Sequence, residues 1–147
     1  MIELHPDFRD FLKLLNSMGV RYLLVGGYAV GCHGYPRATA DMDVWVAVDK
    51  ENAEKTCKAL EEFGIPKNQL SPDLFLEKDK VIQMGLPPVR IEVITGASGV
   101  GFDECYAHRE RVEVEGVCVD VIGLDALKKN KKACSRPKDL EDLLHLP

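Results

Sequence analysis

Apolar residues recur at helical spacing from Pro6 to Met18, where Phe8, Phe11, Leu12, Leu15 and Met18 make one stripe. Pro6 suits a first turn and Gly19 a stop, so a packing helix is predicted there. Arg21 to Val25 is short, apolar and rich in strand formers, and it ends abruptly at Gly26-Gly27. Tyr28 to Gly34 has room for about two turns of helix. From Asp41 to Val48 the period changes. Acids alternate with Met42 and Val44 before the run becomes wholly apolar, as in a strand that enters a core. Asp49 is a good N-cap for a helix that buries Ala53, Cys57, Leu60 and Phe63 and stops at Gly64 and Pro66.

The pattern weakens over residues 65–79, where Pro66, Pro72 and mixed polarity predict a loop with a short helix around Pro72 to Phe75, either a substrate flap or a connector. Lys80 to Met84 and Val89 to Ile94 read as strands broken by Pro87-Pro88. Residues 95–101 (TGASGVG) match neither the Walker lysine loop nor GxGxxG, and predict a flexible loop. Phe102 to His108 is a short helix. Val112 to Val114 and Val117 to Val121 flank Glu115-Gly116 as a hairpin, with Asp120 facing solvent. Leu124 to Lys132 is a helix whose run Lys128, Lys129, Lys131 and Lys132 reads as a solvated face. Ser135 then caps a last helix with Pro137 and Asp139 in its first turn and Leu140, Leu143 and Leu144 as its apolar face.

Composition adds boundaries. The 147 residues suit one domain, 1–147, with the C-terminal helices 124–146 packed on it. A net charge of -5 gives no overall attraction to a DNA backbone, so sequence-specific DNA binding is not expected. Met1 to Asp10 lacks the apolar core of a signal peptide, and no apolar run reaches spanning length. Neither membrane association nor export is therefore expected. Five scattered cysteines without a CxxC pair argue against structural zinc or a disulfide framework, and for reduced, mostly buried thiols in a cytoplasmic protein.

The candidate chemistry lies in Tyr22 to Val48. Asp41 and Asp43 are two residues apart on a strand, so they project from one face with backbones roughly 6–7 Å apart. Acids at alternate core-like positions are costly unless paired or metal-bound, and such a pair suits a hard divalent cation. Gly26 and Gly27 let a backbone approach a ligand closely, and the helix start beyond them offers free N–H groups to an anion; a plain strand-to-helix turn is the alternative. Arg37 and Thr39 precede the aspartates. The fork of Arg37 suits a phosphate, or else a surface pairing with Asp41 or Glu3. Glu92, flanked by Ile91 and Val93, is either a third carboxylate or an outward acid paired with Arg90. Arg136, Lys138 and the preceding lysines form the one strong positive cluster, suited to a triphosphate or an RNA end as well as to capping and solubility. His33, standing alone, reads as a packing or surface residue.

GGYAVGCHGYPRATADMDVWV resembles the signature of the DNA polymerase beta-type nucleotidyltransferase superfamily: a glycine pair closing the first strand, a short helix, then an Asp-x-Asp strand. RIEVI resembles the strand carrying its third acid, and KKNKKACSRPKDLEDLLHL is similar to the tail of small bacterial nucleotidyltransferase-like proteins, including toxin–antitoxin components. The resemblance implies an α+β nucleotidyltransferase fold, a central mixed sheet flanked by helices. It implies two Mg2+ ions, with Mn2+ as a substitute, and transfer of a nucleoside monophosphate from an NTP such as ATP to a protein, an RNA end or a small molecule. By position, Gly26, Gly27, Arg37, Thr39 and Lys138 would contact the nucleotide. Asp41, Asp43 and Glu92 would bind metal and carry catalysis. Gly27 stands where many relatives have Ser, and Glu92 where many have Asp. The alternative is a non-catalytic interaction module using the same fold, such as a toxin–antitoxin component.

Overall fold

The computed structural model describes residues 4–86 and 88–147. Tyr22–Val25 forms β1, buried along its whole length. Asp41–Val46 forms β2, antiparallel to β1 with Val25 opposite Asp43. Val81–Met84 (β3) and Arg90–Ile94 (β4) form an antiparallel pair, and β4 runs parallel to β2. Glu110–Val114 (β5) and Val117–Val121 (β6) form a hairpin, and β6 lies parallel to β1. The result is one six-stranded mixed sheet in the order β3-β4-β2-β1-β6-β5.

Helix α1 (Pro6–Ser17) buries Phe8, Phe11, Leu12 and Leu15, the stripe read from its spacing. Helix α3 (Lys50–Phe63) packs on α1. Asp49 caps α3 by accepting the Asn52 amide, and Gly64 ends it at φ 115°. The even residues of β2, Met42, Val44 and Val46, join this core. On the opposite face Trp45 meets Phe102 of α4 (Phe102–Ala107) edge-on, with ring centroids 5.3 Å apart. That face also carries Asp41 and Asp43, which have the parity of Trp45. Short 3-10 turns occupy Lys67–Gln69 and Pro72–Phe75, and the second buries Phe75.

The C-terminal helices depart from the sequence reading. Helix α5 spans Leu124–Cys134, and Ser135, at φ 54°, closes it rather than capping the next helix. Helix α6 (Pro137–His145) has Arg136 as its N-cap. Its buried side carries Asp139 and Asp142, at 0% and 1% exposure, whereas Leu140 and Leu144 are 51% and 79% exposed. The predicted apolar stripe is therefore split, with Leu140 and Leu144 outward and Leu143 half-buried. Lys131, read as part of a solvated run, is 3% exposed. Its Nζ lies 3.1 Å from both Asp139 Oδ1 and Asp142 Oδ2. Lys131, Arg37 and Arg136 together neutralise the two acids, which reverses the face that leucine periodicity selects. Asp120 is also not solvent-facing, because it sits between Arg109 and Arg111 with 15% of its side chain exposed. Of the cysteines, all free, only Cys105 is fully buried and Cys118 is exposed. Among the described residues no helix is long and apolar enough to cross a membrane.

Candidate active site

Helix α2 (Gly26–Cys32) begins at the first glycine, two residues earlier than the sequence suggested. Gly26 has φ 67°, and a Cβ placed on it would lie 2.2 Å from Asp43 Oδ2. Only a residue without a side chain lets the strand-to-helix turn close against that carboxylate. At Gly27 a Cβ would lie 2.6 Å from Thr39 Oγ1 and 3.2 Å from Arg37 Nη1. The Thr39 hydroxyl thus fills the space a serine side chain would use. Gly26→Ala is expected to cost about 2 kcal/mol, from the positive φ and the displaced carboxylate, read as a fall in urea midpoint. An unchanged midpoint would mean that the turn does not press on Asp43.

The β2–β4 ladder sets Asp43 directly opposite Glu92, and Asp41 opposite Arg90. Of the three predicted acids, the structure joins two and diverts one. Asp43 and Glu92 meet, and Gln83 of β3 donates to Glu92 Oε1 at 2.9 Å. Asp41 is held by a fork: Arg90 Nε donates to Oδ1 at 2.9 Å and Nη2 to Oδ2 at 3.2 Å. The expected alternative of Glu92 paired with Arg90 is not formed.

Burial first, then a hydrogen bond shared with Glu92 and repulsion from Glu92 and Asp41, push the Asp43 carboxyl up to about 7, against a downward pull from Lys138. Lys138 is exposed in the first turn of α6, and the hydrogen bond to Asp139 and then the charge of Asp43 raise Arg136. A carboxyl raised above its unfolded value of 3.8 binds a proton in the native state that the unfolded chain has lost. Stability therefore falls as pH rises through that window. We expect the divalent-free protein to lose on the order of 2 kcal/mol between pH 4.5 and 8 in urea melts, and Asp43→Asn to remove that slope. A slope that persists in the variant would assign it elsewhere.

Arg37 is committed to α6. Its Nε and Nη2 donate to Asp142 Oδ1 and Oδ2 at 2.7 and 2.9 Å, leaving Nη1 beside Thr39 and Gly27. Neither alternative partner, Asp41 or Glu3, is needed, and Glu3 lies outside the described residues. Arg136 is fixed on Asp139 through Nε at 2.7 Å. His145 stacks on Tyr35 with centroids 4.2 Å apart, a second tie between α6 and the loop before β2. His33 is a packing residue: its Nε2 meets the Ile122 carbonyl at 2.7 Å.

The fit of the site to a divalent cation can be judged from its atoms. Asp43 Oδ1 is buried and has no hydrogen-bond partner. The three acids are oxygen donors suited to a hard cation. Among the described residues, however, no group of three or more His, Cys, Asp or Glu side chains stands in a metal-ligating arrangement, and Asp41 is engaged by Arg90. Asp43 and Glu92 fit such an ion, and Asp41 is a donor held back. The interaction of Glu92 with Gln83 and the diversion of Asp41 by Arg90 were missed in the sequence; both follow from the strand order, which periodicity does not disclose.

A glycine-started helix packed on β1 and β2, with the doubled-acid strand β2 paired to a parallel neighbour that carries a third acid, defines a nucleotidyltransferase fold. Solved structures agree. A candidate nucleotidyltransferase from Thermotoga maritima superposes with TM-score 0.63 at 15% identity, over 97% of this chain and 94% of that one. ANT(2″)-Ia, solved in complex with adenylyl-2″-tobramycin, superposes with TM-score 0.61 at 12% identity, over 93% and 83% of the two chains. An antigenic nucleotidyltransferase-like protein from Paracoccidioides brasiliensis gives TM-score 0.56 at 15% identity, over 92% and 71%. No family model and no curated protein sequence matches the chain.

Proposed function

We propose that this protein transfers a nucleoside monophosphate from an NTP to the hydroxyl of an acceptor. The observation that carries this reading is the Asp43–Glu92 pair, set in register at the glycine start of α2 with a buried Asp43 oxygen left unpartnered. Mg2+, two ions by resemblance with Mn2+ as a substitute, held by Asp41, Asp43 and Glu92, would supply Lewis-acid polarisation of the transferred phosphoryl group. The chain's own residues do the rest. Gly26 and Gly27 open backbone space for the triphosphate beside Asp43, with the Thr39 hydroxyl and Arg37 Nη1 alongside. Lys138 and Arg136 stabilise the charge that gathers on the leaving pyrophosphate. The acceptor oxygen bonds to the α-phosphorus, the bond to the β-phosphate oxygen breaks, and the hydroxyl proton passes to Glu92.

A second reading, a non-catalytic module such as a toxin–antitoxin component, draws on the capture of Asp41 by Arg90. Incubation with each of four α-labelled NTPs, Mg2+ and a cell lysate separates the two. Label on a protein, RNA or small molecule is expected. No label with any of the four would leave the non-catalytic reading.

A further inference from the structure

We propose that Arg90 controls cation access to Asp41, acting as its internal counter-ion until a divalent cation displaces it. This rests on the nucleotidyl-transfer reading of the site. The fork engages both oxygens of Asp41, at 2.9 and 3.2 Å, whereas Asp43 Oδ1, on the same strand face, has no partner. A hard cation needs the carboxylate oxygens the guanidinium now occupies, so the two compete. The competition is placed by the ladder itself: Arg90 opposes Asp41, and two residues on Glu92 opposes Asp43.

Two features make the contact releasable. Its side chains are 34% and 20% exposed, so water can replace either partner. Among the described contacts, neither Asp41 oxygen is hydrogen-bonded by any group except Arg90. The fork also offsets part of the repulsion that Asp41 exerts on Asp43. Once released, the guanidinium remains on the strand face of the carboxylates, with the charge that a triphosphate requires. Arg90 is thus a positioning residue that disfavours a bare cation.

The test is Mn2+ binding to the nucleotide-free protein, followed by electron paramagnetic resonance of the free ion. Arg90→Gln is expected to bind Mn2+ about 10-fold more tightly than the wild type, since it removes one adjacent positive charge. Arg90→Lys keeps the charge without the fork and is expected to fall between. Arg90→Gln combined with Asp41→Asn is expected to lose the gain, which a merely structural role of Arg90 would not produce. Equal or weaker Mn2+ binding by Arg90→Gln overturns the proposal while leaving nucleotidyl transfer standing. Absence of Mn2+ binding in all of these proteins, together with absence of label transfer, overturns both.

Discussion

Asp43→Asn is expected to lower nucleotidyl transfer by about 1000-fold while leaving the chain folded. Each tenfold in rate corresponds to about 1.4 kcal/mol of transition-state stabilisation, and a cation at a developing phosphoryl charge is worth several. The amide keeps the volume of the acid but loses its charge, so on the proposed reading a cation held with Glu92 would lose its most buried ligand. The same substitution relieves the burial and repulsion that hold a proton on Asp43. The variant is therefore expected to be more stable than the wild type at pH 8 without divalent ions. Loss of activity with a gain in stability separates a site residue from a structural one. Initial rates of label incorporation and urea midpoints at pH 8 measure the two. A rate within tenfold of wild type would remove Asp43 from the chemistry.

Asp142→Ala is expected to cost about 3–4 kcal/mol, the largest stability loss of any single substitution considered. Asp142 is 1% exposed, takes the fork of Arg37 and lies 3.1 Å from Lys131, itself 3% exposed. Removing it strands the half-buried fork of Arg37 and leaves the buried Lys131 with Asp139 as its one remaining partner, the case in which a broken buried pair is most damaging. Lys55→Ala, which breaks the solvent-exposed Lys55–Glu51 pair, is the internal control and is expected to cost under about 0.5 kcal/mol. Chemical denaturation decides between them, and a loss below 1 kcal/mol at position 142 would place the network among surface contacts. Burial alone would raise the carboxyls of Asp139 and Asp142. Hydrogen bonds from Arg136 and Lys131 to the first, and from Arg37 and Lys131 to the second, hold both below the usual range. Their stabilisation is present above the unfolded value and is lost as pH falls through the folded one, on the acid side of about 4. The network thus sets the acid limb of the stability profile, and Asp43 sets the slope above it.

Local periodicity located most of the fold. The stripe of α1, the alternation of β2, the cap of α3 by Asp49 and the Glu115-Gly116 hairpin all formed where the residues placed them. These signals depend on neighbours within one element. What escaped depends on pairing between distant segments. The spacing of Leu140 and Leu144 predicts a core face, but Arg37, 105 residues from Asp142, and Lys131 on the preceding helix bury the aspartates instead. Sequence spacing offers Glu92 as the partner of Arg90 on the same strand, yet side chains two apart on a strand are not as close as cross-strand partners, and β4 pairs with β2. Glu92 as a third acid was legible only as one of two options, because its nearness to Asp43 exists only in that ladder. The position of Thr39 just before the aspartates is legible in the sequence, whereas its contact with the space over Gly27 depends on the loop's return onto α2.

The measurement that bears most directly on the Asp41–Asp43–Glu92 site is Mg2+-dependent NTP binding by calorimetry, in the wild type and in Asp41→Asn combined with Asp43→Asn. The wild type is expected to bind NTP with Mg2+ and to lose most of that affinity when Mg2+ is chelated. The double variant is expected to bind NTP weakly whether or not Mg2+ is present. Unchanged Mg2+-dependent binding in the double variant would contradict the site.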